Sequence, residues 1–171
     1  MTMHRGFTQE DFVRQQGCTI GPPKLYRALM LQPRLVCVAV AIGMWRQDAK
    51  LFLMLSACLA WCAAVPEWNP IDRIYNAVQP DGAPVLPPSP APRRTAMALA
   101  SLCAGVSSVA IHMEAWRTAW TIEGLLLVAA LAVVVGRFCF GSFVYYQVTR
   151  WLDHAGIRRR RLTSRSAESG W

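Results

Sequence analysis

Residues 120–151 read WTIEGLLLVAALAVVVGRFCFGSFVYYQVTRW, and how this stretch is read decides the fold. Between Glu123 and Arg137 lie thirteen consecutive residues without charge, all Gly, Ala, Leu or Val, with aromatic residues on both flanks. A soluble amphipathic helix of this length carries a polar stripe at 3.6-residue spacing, whereas residues 124–136 are apolar all the way round. The stretch therefore predicts a membrane-spanning helix over about 120–143, bounded by interfacial aromatics.

The rest of the 171-residue chain agrees. Its length has room for one compact domain. Its 54% hydrophobic share exceeds the ~45–50% of soluble domains, and its 16% charged share falls below the usual ~25%. The net charge of +8 is no argument for nucleic acid, because Lys and Arg of membrane proteins gather in cytoplasmic segments. The first 24 residues hold Glu10, Asp11, Arg14 and Gln15 and lack an apolar run, so no cleaved signal peptide is expected. Six cysteines are spread one or two per segment with no C-x-x-C pair. Neither a disulfide framework nor a zinc knuckle is expected, and no metal or cofactor.

Three further apolar blocks precede this stretch. Spans are expected over about 26–45, 51–65 and 96–112, with a tight RQDAK turn joining the first two into an antiparallel hairpin. For the first span two readings are open: a helix starting at Pro33, or one starting near Tyr26 and kinked at Pro33. Length favours the second, since eleven residues cover only about 17 Å of a ~30 Å hydrocarbon core. In the third block Ala100, Gly105, Ser107 and Ser108 are small enough for close helix approach.

The segments outside the blocks carry their own signals. Thr8-x-x-Asp11 resembles a capping box for a short surface helix within a tail over 1–25, the alternative being a frayed end. Asn69, Pro70 and Asp72 have the order of an N-cap, a first-turn proline and a dipole-matching acid, predicting a short helix over about 70–78. Eight of the eleven prolines lie between Pro66 and Pro92, so residues 66–95 read as a stiff connector. Of the eighteen Lys and Arg, fourteen lie in the N-terminal segment through Arg34, this connector and the tail over 150–171. That bias predicts cytoplasmic termini and connector.

Few residues suggest chemistry. Glu123 and Arg137 would share one face of a continuous helix about 21 Å apart, either as interface anchors or turned inward onto other helices. His112 and Glu114 could join Glu123 at the outer end as a proton or metal site, against a plain reading as interfacial polar residues. Cys58 and Cys62 share a helix face and read as buried packing thiols. Cys139, Ser142 and Tyr146 fall on one face, with Arg137 near enough to bias a thiol toward thiolate. The plain reading there is a packing cysteine beside a close-contact glycine.

The strings NPIDRIYNAV, VLPPSPAPRR and GRFCFGSFVYYQV resemble the bacterial membrane-protein family catalogued as domain of unknown function 4395, over most of residues 32–148. The residues carrying the resemblance are Asn69, Pro70, Pro87, Pro88, Pro92, Arg93, Phe138, Cys139, Ser142 and Phe143. The resemblance implies a small inner-membrane protein with four hydrophobic segments and no established activity. Some similar chains carry C-x-x-C where this one has Cys139 and Ser142, so Cys139 could act only as a lone thiol needing a partner cysteine elsewhere.

The expected fold is an all-α integral membrane helical bundle, four transmembrane helices in two hairpins over 26–149, in the bacterial inner (plasma) membrane. Arg158, Arg159, Arg160 and Arg161 would sit at anionic lipid headgroups, about 1 kcal/mol per charge, with no nucleic acid partner. The first functional reading is a non-enzymatic component that binds or assembles with a protein partner or a second copy. Alternatives are a thiol-dependent redox protein using Cys139, and a small transporter or channel using Glu123, Arg137 and His112.

Overall fold

The computed structural model describes residues 8–18, 23–78 and 88–154, and all regular structure among them is helical. The helices are α1 (Gln9–Gln15), α2 (Pro23–Arg46), α3 (Ala49–Ala64), α4 (Pro70–Val78), α5 (Ala91–His112), α6 (Trp116–Val134) and α7 (Phe140–His154), with a 3₁₀ turn at Pro66–Trp68. Among the described residues α2, α5 and α6 are long and apolar enough to cross a membrane. The sixteen residues of α3 are apolar but shorter, about 24 Å.

Local chemistry sets most helix ends. Thr8 and Asp11 form the capping box: the Thr8 hydroxyl accepts from Asp11 N–H at 3.2 Å and the Asp11 carboxylate accepts from Thr8 N–H at 3.0 Å. Gly17, at φ 78°, ends α1, with Cys18 N–H bonded to Val13 O and Gly17 N–H to Arg14 O, the paired bonds of a Schellman cap. The helix α2 runs through Pro33 and begins at Pro23, in line with the earlier of the two starts. The short helix expected after Pro70 is present at the expected bounds, with Asn69 Oδ1 accepting from Ile71 N–H at 3.2 Å.

Two interhelical turns end their helices on a residue other than glycine in the left-handed region. Gln47 (φ 48°) lies between α2 and α3, where Asp48 N–H reaches back to Gly43 O. Glu114 (φ 55°) lies between α5 and α6, where Ala115 N–H reaches back to Ala110 O. Asp48 then caps α3 by accepting from Lys50 and Leu51 N–H. The two turns stand at one end of the bundle, the turn end. Opposite, at the connector end, Phe12 and Val13 pack with Ala28, Leu29 and Met30 of α2, Val133 of α6 and Cys139.

At the centre α5 packs on α3, α6 and α7, while α2 closes the bundle against α6 and α3. Small and hydroxyl side chains make the α3–α5 contact. Ser56 Oγ donates to Ser101 O at 2.8 Å and Ser101 Oγ donates back to Ser56 O at 2.9 Å. Beside them, a Cβ on Gly105 would stand 3.1 Å from Ser56 Oγ, so these helices meet through small residues as expected.

Three expected boundaries are corrected. The final apolar stretch is not one helix over 120–143: α6 starts at Trp116 and stops at Val134, and α7 starts separately at Phe140. The break has a specific backbone geometry. Arg137 takes φ 56°, Phe138 N–H bonds back to Ala132 O, and a side chain on Gly136 would meet that same carbonyl at 2.7 Å. Glu123 and Arg137 therefore do not share a face of one helix. Next, α5 begins at Ala91 rather than 96, because Pro92 is tolerated in a first turn that has no N–H bond to lose. Lastly, α7 carries helical structure through His154, past the tail boundary expected at 150. Pro87, residues 79–86 of the connector and Arg158, Arg159, Arg160 and Arg161 lie outside the described residues.

Two glycines should respond oppositely to an added methyl. A Cβ on Gly141 would stand 2.4 Å from Ala96 Cα, a backbone atom that cannot rotate away, whereas Gly124 has nothing within 4 Å. Thermal unfolding in detergent should show Gly141→Ala losing about 1–3 kcal/mol as α7 is pushed off α5. Gly124→Ala should gain up to about 1 kcal/mol from helix propensity.

Candidate functional site

The first turn of α5 is the meeting point of the connector end. Arg93 is 5% exposed, and its guanidinium grips Asp72 of α4 with two bonds, Nη1 to Oδ2 at 2.9 Å and Nη2 to Oδ1 at 2.7 Å. The same Nη2 donates to Gln32 Oε1 of α2 at 2.7 Å. Around this pair Asn69 Nδ2 donates to Asp72 Oδ2 at 2.9 Å, Ser89 Oγ donates to it at 3.3 Å, and Cys62 Sγ reaches Asn69 Oδ1 at 3.4 Å. Gln32, Cys62, Asn69, Asp72, Ser89 and Arg93 are all buried. Arg94 extends the junction to α3 by donating from Nε to Ala63 O at 2.8 Å.

The other connector-end elements dock on the same turn. A Cβ on Gly17 would lie 3.1–3.2 Å from the rings of Pro90 and Pro92, so the end of α1 rests on these prolines. Ser142 Oγ of α7 donates to Pro92 O at 3.4 Å. Burial pushes the Cys18 thiol up from its ordinary value, with Arg93 pulling it down and Asp72 adding to the rise. Cys18 packs at the edge of the cluster that contains Cys139.

Chemically, the carboxylate at the centre of the network has nothing left to offer a ligand. Asp72 accepts from Arg93 on both oxygens and from Asn69 and Ser89, so its carboxylate is spent on protein donors. A cation at a helix N-terminus opposes the helix dipole, and α5 has no acid in its first turn. Asp72, in the first turn of α4, supplies the missing negative charge while sitting well for its own helix. The arrangement fastens α2, α4 and α5 together.

A second buried polar group lies at the turn end. Glu123 is fully buried on α6, and its Oε2 accepts from Gln47 Nε2 at 2.8 Å. Gln47 Nε2 also donates to Met44 O at 2.8 Å. Of the two open readings for Glu123, the structure has it turned inward onto another element.

The remaining candidates are scattered. His112 and Glu114 are exposed and Glu123 is buried, and no group of three metal-ligating residues occurs among the described residues. Arg137 sits in the α6–α7 turn with its guanidinium 5.9 Å from the Tyr26 ring centroid. Cys139 is buried, its N–H donating to Gln15 Oε1 at 2.9 Å, and Tyr146 lies exposed at the same surface with its hydroxyl donating to Arg14 O at 3.5 Å. Phe138 and Phe143 pack ring to ring at 5.8 Å. Cys58 is exposed, and of that pair only Cys62 is buried. Asn69, Pro92, Arg93, Cys139 and Ser142, far apart in sequence, converge on the connector end, with Pro70 opening α4 and Pro88 next to Ser89.

Sequence reasoning missed Gln32, Gln47 and the pairing of Asp72 with Arg93. Gln32 stands alone between Leu31 and Pro33, with no spacing that marks a partner. An arginine in a helix's first turn without a local acid was the available signal for a buried partner.

The family described as Domain of unknown function (DUF4395) matches residues 27–150, well over half of the chain. No curated protein and no solved structure matches it.

Removing either member of the ion pair leaves a buried, uncompensated charge. Arg93→Ala and Asp72→Ala should each cost about 3–5 kcal/mol in denaturant unfolding in micelles. Arg93→Lys should fall between these variants and the native protein, since an ammonium cannot hold both Asp72 oxygens and Gln32 in the fork geometry of a guanidinium.

Proposed function

The chain belongs to the DUF4395 family, and from that premise we propose a multi-pass integral protein of the bacterial inner (plasma) membrane, acting as a non-enzymatic binding or assembly component. The observation that carries the membrane part is an inversion of the soluble pattern. Leu35, Val38 and Ile42 on α2, Leu102, Val106 and Val109 on α5, and Leu125, Val128 and Leu131 on α6 face outward, each set at helical spacing. Ser101, Ser107, Ser108 and Glu123 face inward. Water as solvent would reverse that distribution, because an exposed apolar stripe on each long helix is far more than a soluble monomer presents.

On this reading α2, α3, α5 and α6 cross the bilayer as two antiparallel hairpins, with α1, α4 and α7 on the connector side. Exposed Trp45, Trp116 and Trp120 at the turn end and Trp61 and Trp68 at the other supply an aromatic belt at each interface. The Arg73 guanidinium lies 4.3 Å over the Trp68 ring, and exposed Ile74 follows on α4, which suits a helix lying at the headgroup level. The excess of Lys and Arg in the N-terminal segment, the connector and the C-terminal tail supports a cytoplasmic connector side. The non-enzymatic part is supported by the Arg93 and Asp72 network, whose charged groups bond to neighbouring helices. The partner surface is the outward face of the bundle, open to lipid, to another protein or to a second copy.

Topology and assembly are tested together. In a cysteine-free background, Lys50→Cys and Glu114→Cys should react with an impermeant thiol reagent on intact cells, and Arg73→Cys and Asp153→Cys only after permeabilisation. Protein that leaves the membrane under an alkaline wash overturns the integral reading. Cross-linking in native membranes should trap a companion or a dimer, and a solitary monomer overturns the assembly role.

A further inference from the structure

The turn end holds polar groups that the bundle does not satisfy. Gln47 Nε2 spends both hydrogens, on Glu123 Oε2 and Met44 O, each at 2.8 Å. Its amide oxygen and Glu123 Oε1 are left as buried acceptors without a donor. Ser107 Oγ is also buried without a partner, one residue before Ser108, whose hydroxyl donates to Ala49 O in the first turn of α3. Of four such atoms among the described residues, these three belong to the turn end, and all three are oxygens able to accept.

Charge points the same way. A carboxylate out of water and without a cation is strongly disfavoured, yet no Lys, Arg or His lies within 4.0 Å of Glu123 among the described residues. The charged groups at this end are Arg46, Asp48 and Lys50 on the first turn and His112, Glu114 and Arg117 on the second, and none pairs with Glu123. All but half-buried Asp48 are exposed. Gln47 holds a left-handed backbone that costs a residue with a Cβ about 1–2 kcal/mol, and this conformation aims its amide at Glu123. A shallow depression of about 440 Å³, lined by Arg46, Gln47, Asp48, Ala49 and Lys50, opens beside Gln47.

We propose that Glu123 Oε1 and Gln47 Oε1 form the core of a binding site for one monovalent cation, taken from the turn-end solution as a proton or as an alkali metal ion. Glu123 supplies the charge. Gln47 is a positioning residue, holding the second carboxylate oxygen while its own carbonyl is left for the ligand. The shared chemistry is a single positive charge held by oxygens, and the two sources separate by experiment.

Dicyclohexylcarbodiimide, an apolar reagent that adds to protonated carboxyl groups, reads the site in the full-length protein in micelles. In choline buffer free of sodium and potassium, native protein should be labelled at Glu123, as located by peptide mass, and Glu123→Gln should lose that label. If the ligand is a proton, labelling slows as pH rises and ignores an exchange of choline for sodium or potassium. If it is an alkali ion, sodium or potassium protects at constant pH in a saturable manner. Gln47→Ala should shift the midpoint of whichever dependence is found, and an unmoved midpoint removes Gln47 from the site. Glu123 that stays unlabelled in choline at every pH where the native protein keeps its thermal transition overturns the proposal. So does labelling indifferent to both pH and alkali ions.

Discussion

The buried contact between Arg93 and Asp72 is the constraint on which the connector end depends. Each charge is costly where it sits, and each is tolerable only because the other is held 2.7 Å away in a two-pronged geometry. That requirement fixes α4 relative to α5, and the third bond to Gln32 fixes α2. Once the first turn of α5 is immobilised, Pro90 and Pro92 offer a surface to Gly17, and the Pro92 carbonyl takes up Ser142. Helices separated by many tens of residues are thereby registered on a single turn.

Lipid as solvent, as proposed above, would account for the rest of the construction. Where apolar tails surround the bundle, exposing Leu and Val costs nothing, and helix association must come from close approach and hydrogen bonding. The reciprocal bonds of Ser56 and Ser101 and the close pass of Gly141 over Ala96 are the forms this takes here. The same solvent makes each inward charge consequential. At the connector end two opposite charges cancel, whereas at the turn end Glu123 meets only the neutral amide of Gln47. The two ends of one bundle thus treat buried charge differently, one as a fastening and the other as an open demand for a cation.

Much of the fold was legible because apolar composition and capping are local. The Thr8 and Asp11 box, the Asn69 cap and the four apolar blocks each depend on residues within a turn of one another, so their positions follow from spacing alone. The end of α6 was not legible in that way. Residues 124–143 hold no proline, and the chain turns because Gly136 and Arg137 adopt a conformation that delivers Cys139 to Gln15 and the core beneath α1. That reason lies more than a hundred residues away.

The chain by itself determined its helical class, its apolar spans and its short capped helices, since solvent preference and hydrogen bonds to nearest neighbours are properties of short stretches. Tertiary structure alone decided that Arg93 meets Asp72 and Gln32, that Glu123 turns inward to Gln47, and that the final apolar stretch breaks in two. Those outcomes depend on which polar groups find partners across the bundle, and no local spacing records the distance between residues that only folding brings together.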